Sequence, residues 1–143
     1  METRKKYRIL IASTDTQYLM WLQVVLTNLE SEYDDYKFQI NIISSIDQLI
    51  VESKTDIDLA FVDELFVLKE NNDFLHSLHH NHPSCLLVVL LSSEREQTNK
   101  LINRLTENNL QIFAGYILKD NYSLQILKTI CTDIIEKMIS NKK

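Results

Sequence analysis

Four places in this sequence set a chemically capable side chain directly after a run of aliphatic residues. Ser13-Thr14-Asp15 follows Ile9–Ala12, Asp63-Glu64 follows Leu59–Val62, Ser92-Ser93 follows Leu86–Leu91, and Lys119-Asp120 follows Phe113–Leu118. Brought to one edge, an acid, a hydroxyl and an amine suit phosphoryl transfer onto a carboxylate. The carboxylate attacks phosphorus, the ammonium pairs with an equatorial phosphoryl oxygen, and the hydroxyl donates a hydrogen bond to another. A Mg²⁺ ion ordinarily shields the two anions from each other and takes oxygen ligands, chiefly carboxylates. Taken one at a time the same residues have plainer roles. Asp63 then caps a strand end, Lys119 lies on the surface, and Ser92-Ser93 caps a helix ahead of Glu96.

The elements that would position these groups follow from apolar spacing. Continuous apolar runs at Tyr7–Ala12, Phe38–Ile43, Leu59–Val62, Leu86–Leu91 and Phe113–Leu118 suit strands buried on both faces. Between them apolar residues recur at helical spacing. One stripe is Leu19, Leu22, Val25, Leu26 and Leu29; shorter ones are Ile46, Leu49 and Ile50, then Leu75 and Leu78, then Leu101, Ile102 and Leu105. The clearest is Leu124, Leu127, Cys131, Ile134, Ile135 and Met138. Five strands alternating with five helices predict an α/β fold: a parallel sheet with helices on both faces, and its working residues at the carboxyl ends of the strands.

Composition narrows the function classes. A chain of 143 residues, 45% hydrophobic and 24% charged, is one globular domain over 1–143 with a core from about 6 to 139. Its single glycine, Gly115, excludes the glycine-rich phosphate cradles and argues against an all-β fold. A net charge of -5 gives no footprint for nucleic acid. Cys85 and Cys131 stand alone, without a C-x-x-C, as buried thiols of a reducing compartment. No apolar stretch approaches a membrane span, and the run after the charged start is too short for a signal peptide, so the expected location is the cytoplasm.

Three segments together resemble the receiver domains of two-component response regulators, the CheY-like fold. Ile57-Asp58-Leu59-Ala60-Phe61-Val62-Asp63 is similar to the strand that delivers the phospho-acceptor aspartate. Val88-Val89-Leu90-Leu91-Ser92-Ser93 is similar to the strand ending in the switch hydroxyl, and Ala114-Gly115-Tyr116-Ile117-Leu118-Lys119-Asp120 to the last strand with its lysine. The resemblance implies a flavodoxin-like three-layer sandwich with strand order 2-1-3-4-5. It puts Asp63 at the acceptor position, Ser92 and Lys119 at the phosphoryl group, and Tyr116 at the rotating aromatic. It also implies a partner, a histidine kinase or output protein, or a second copy, bound through the face of the fourth helix, fifth strand and fifth helix, which Tyr116 and Tyr122 border. The Lys119-Asp120 ending resembles a branch that often carries a DNA-binding output domain; no stretch after Met138 has the length of one, so the chain either acts alone or is a piece of a longer regulator.

The departures from that family predict its mechanism here. Receivers end the first strand in two acids that hold Mg²⁺; in this chain those places are Ser13 and Thr14. Asp15 follows one position late, and slipping a buried strand to recover it is costly. After Asp63 the chain runs Glu64-Leu65-Phe66, a loop or altered helix start, and Lys119-Asp120 replaces the family's usual Lys-Pro. With Asp63 and backbone carbonyl alone, Mg²⁺ is expected to bind weakly, phosphorylation to be slow or absent, and Lys119 to pair with Asp63. The reading is an atypical, non-enzymatic receiver that acts by protein contact, without nucleic acid or membrane. Two alternatives stand beside it. One is a phospho-accepting receiver that recovers its metal through Asp15 or Glu64. The other is a flavodoxin-fold enzyme with Asp63 as nucleophile, against which Leu65 stands where an aspartate-type phosphatase has its second acid. Of the remaining features, Tyr116 reads on its own as core, Trp21 as a partly buried edge residue, Arg4-Lys5-Lys6 as a solvated start, and His76, His79, His80 and His82 as the polar end of a helix rather than a zinc site.

Overall fold

The computed structural model describes residues 5–45, 48, 51, 56–64, 66, 84–91, 100, 103, 113–119 and 123–141. Its strands are β1 (Lys5–Ala12), β2 (Tyr36–Ile43), β3 (Leu59–Asp63), β4 (Leu86–Leu91) and β5 (Phe113–Leu118). They form one five-stranded sheet in the order β2-β1-β3-β4-β5, with every pairing parallel. Two helices are described at length, α1 (Thr16–Ser31) after β1 and α2 (Leu124–Asn141) after β5. Gln48 and Val51, Glu64 and Phe66, and Lys100 and Asn103 are helical, so each remaining crossover also carries helix. Ile46, Leu49, Ile50, Leu75, Leu78, Leu101, Ile102, Leu105 and the four histidines lie outside the described residues.

Every residue of β3, and every residue from Ile9 to Ala12 and from Leu87 to Leu91, is buried. Because side chains alternate between faces, this means the sheet is covered on both sides. Tyr7, Ile9, Ile11, Leu59, Phe61, Val88, Leu90 and Ile117 form one face, packed on the α1 residues Leu19, Leu22, Val25, Leu26 and Leu29 and the α2 residues Leu127, Cys131, Ile134, Ile135 and Met138. Burying each large aliphatic side chain contributes roughly 1.5–3 kcal/mol before entropy is charged against it. Leu124 departs from the predicted stripe: it is 47% exposed. It is the first residue of α2, and helical side chains lean toward the N-terminus, so it points past the helix end rather than onto the sheet.

Local hydrogen bonds fix the joints. Asp58 ties the starts of β3 and β4 to the middle of β1: its N–H donates to Arg8 O, its Oδ2 accepts from Arg8 N–H, and its carbonyl accepts from Leu86 N–H. On the edge strand β2, Phe38 N–H donates to Glu30 Oε2 of α1 at 2.5 Å. β2 follows β1 residue for residue from Lys5/Tyr36 to Ala12/Ile43. The other edge is irregular. Leu87 pairs with Phe113 but Val88 pairs with Gly115, so β5 bulges at Ala114-Gly115, and Gly115 has φ +144°. A Cβ there would meet no atom within 4 Å, so what that position asks for is conformational freedom, not space. Among the described residues no helix is long and apolar enough to cross a membrane.

Candidate functional site

Strand alternation assembles the site. Ser13, Asp63 and Lys119 each stand two residues beyond a core side chain of the α1/α2 face, namely Ile11, Phe61 and Ile117. Residues two apart share a face, so the three emerge together at the carboxyl end of the sheet, beside the start of α1. Asp63 Oδ2 accepts a hydrogen bond from Ser13 Oγ at 3.0 Å and another from Lys119 Nζ at 2.8 Å. The pair is well covered: the Asp63 side chain is 3% exposed and that of Lys119 9%. A carboxylate so deep in the protein needs compensation, and a cation and a hydroxyl meeting it directly supply it.

Asp15 joins the same circuit from the loop without any slip of β1. Its N–H donates to Ser13 Oγ at 3.1 Å, its Oδ1 caps α1 by accepting from Tyr18 N–H at 3.1 Å, and its Oδ2 lies 3.5 Å from Lys119 Nζ. Its side chain is 45% exposed. Lys119 Nζ also stands 5.9 Å from the centroid of the Tyr18 ring, and its main-chain N–H donates to Leu91 O. A groove of about 190 Å³ opens above this cluster, lined by Asp15, Gln17, Tyr18, Trp21 and Lys119.

No family model matches the sequence, and neither does any curated protein. Solved structures do match. A response regulator receiver domain protein from Methanospirillum hungatei JF-1 superposes with a TM-score of 0.66 at 15% identity, over 96% of this chain and 98% of that one. This chain has the CheY-like receiver fold. The signal receiver domain of an HD domain-containing protein from Pseudomonas fluorescens Pf-5 matches with a TM-score of 0.67 at 18% identity, over 95% and 99% of the two chains. A structure described as adenylate cyclase from Rhodopirellula baltica gives 0.67 at 13%, over 96% and 95%. At such identities the likeness is one of fold, and function has to be argued from the residues.

On this receiver fold Asp63, Lys119, Ser13 and Asp15 come together, whereas Thr14 is exposed. Thr14 is one step out of phase with Ile9, Ile11 and Ser13. Ser92, Asp120 and Tyr122 lie outside the described residues. Tyr116 is not core: it is 44% exposed. Glu64 is 8% exposed and already helical, so β3 passes into helix without a loop. Tyr18 and the groove-lining Gln17 are contributions the sequence reading missed; the signal available was their place in the first turn after the capping Asp15. Among the described residues no cluster of three or more His, Cys, Asp or Glu has the arrangement of a metal site. Burial pushes the thiols of Cys85 and Cys131 up to about 12, so both stay protonated near neutral pH and neither is a nucleophile there.

Proposed function

We propose that this protein is an atypical signalling receiver that acts through protein contact, with Asp63 at the acceptor position and Mg²⁺-dependent phosphorylation weak or absent. One observation carries the proposal: a single oxygen, Asp63 Oδ2, is engaged by both the Ser13 hydroxyl and the Lys119 ammonium, under almost complete burial. The donor set does not suit a divalent cation. Where receivers have two acids this chain has buried Ser13 and exposed Thr14, and Asp15 already spends one oxygen on the helix cap. A phosphodonor approaching without a metal meets two carboxylates, Asp63 and Asp15, with the single Lys119 ammonium to offset them. At about 4 Å and an effective dielectric of about 20, such repulsion costs about 4 kcal/mol per pair of charges. The neighbours described as receiver domains support a role in signalling, and the partner in this reading is a histidine kinase or an output protein. Residues Tyr116, Leu124 and Ile126 give β5 and the start of α2 an exposed apolar surface for that partner or for a second copy.

Acetyl phosphate with and without Mg²⁺, read by intact mass, tests the assignment. The expected result is little or no phosphoryl adduct in either condition. A stoichiometric, Mg²⁺-dependent adduct that vanishes in Asp63→Ala overturns the inactivity. It would select instead a phospho-accepting receiver in which Asp15, already within 3.5 Å of Lys119, supplies a metal ligand.

A further inference from the structure

The groove beside the pocket has a chemical character of its own. Lys119 lines it, but its charge is spent inward, 2.8 Å from Asp63 with the side chain 9% exposed. Asp15 lies farther from the same ammonium, at 3.5 Å, and is 45% exposed. Together Asp15, Asp63 and Lys119 carry one net negative charge, and the carboxylate that meets solvent is the loosely held one. Beside it stand the Gln17 amide and the Trp21 indole, which is 40% exposed. A carboxylate next to an aromatic face favours a planar, weakly hydrated cation. A guanidinium can donate to Asp15 Oδ2, the oxygen not used by the helix cap, while its plane lies against the ring. An incoming anion would face Asp15 and gain only an ammonium that is already neutralised.

The surroundings point to the form in which that cation arrives. Met20 and Val24, 65% and 53% exposed, lie one turn apart on α1 and flank Trp21. A free guanidino compound in the groove would leave this apolar strip in water, whereas a polypeptide would cover it. We infer that the groove receives an arginine side chain presented by a partner protein, with apolar neighbours of that arginine laid over Met20 and Val24. The site does not require Asp63 to accept a phosphoryl group, so this inference and the proposed function can fail separately.

Trp21 is the only tryptophan in the chain, so its emission reports directly on the groove. The full chain is titrated with the peptide acetyl-Ala-Leu-Arg-Leu-Ala-amide, with the same peptide carrying citrulline for arginine, and with acetyl-arginine-amide. The expected result is a saturable emission change with the arginine peptide, and at least tenfold weaker binding of the other two. Asp15→Asn is expected to weaken the arginine peptide at least tenfold as well; asparagine caps a helix as well as aspartate, so the variant keeps α1 while losing the charge. An absent saturable change, or equal binding of the citrulline peptide, overturns the cation site. Equal binding of acetyl-arginine-amide overturns the protein partner, leaving a small guanidino ligand in its place.

Discussion

The two edges of the sheet are built on different terms. At β2 the ladder with β1 runs without interruption, and Glu30 takes a main-chain N–H of the edge strand. At β5 the ladder with β4 breaks once, at Ala114-Gly115. The break decides which side chains face the site. Without the additional residue Tyr116 would pair with Leu90 and enter the core in place of Ile117. Lys119 would then fall on the opposite face, away from Asp63. The regular edge is therefore laid down by an unbroken ladder, whereas the irregular edge spends some stability to deliver the Lys119 cation to the pocket.

Substitutions at the two edges test that contrast. The largest effect is expected at the delivered cation. Lys119→Met leaves Asp63 buried without its charge partner and should cost about 3–5 kcal/mol in urea unfolding. Adding Asp63→Asn should recover much of that loss, because the uncompensated charge is gone; strictly additive losses would contradict the pairing. Next is the bulge. Gly115→Ala forces an L-residue to adopt φ near +144°, at a cost of about 1–3 kcal/mol with no steric contribution. An unchanged unfolding midpoint would show that the bulge is not needed. The smallest effect belongs to the regular edge. Glu30→Ala should cost about 1 kcal/mol, since solvent can replace the lost acceptor, and Glu30→Gln should cost less. If the Glu30 variant lost more than the Gly115 one, the contrast between the edges would be reversed.

These edges also mark what could be read from the sequence. The five strands were legible because burial on both faces leaves unbroken aliphatic runs, and the α1 stripe because its spacing admits no other element. Alternation within such a run is invisible, however, since every position is apolar. Tyr116 consequently read as core, and only the lone glycine inside β5 hinted at a bulge that turns it outward. At the site, Asp63 and Lys119 were legible as polar residues ending apolar runs. Ser13 could be separated from Thr14 only by counting in twos from Ile9 and Ile11. The Asp15–Lys119 contact and the Tyr18 ring depend on how the loop after β1 turns into α1, and no local pattern encodes that turn.

Asp15 has a consequence beyond charge balance. One of its oxygens secures the first turn of α1 while the other leans on Lys119, and its own amide is anchored to Ser13. Drawing the lysine aside removes one of the contacts that hold the carboxylate beginning the helix. The hollow and the first turn of α1 thus share one side chain, a direct link between them that runs through no strand.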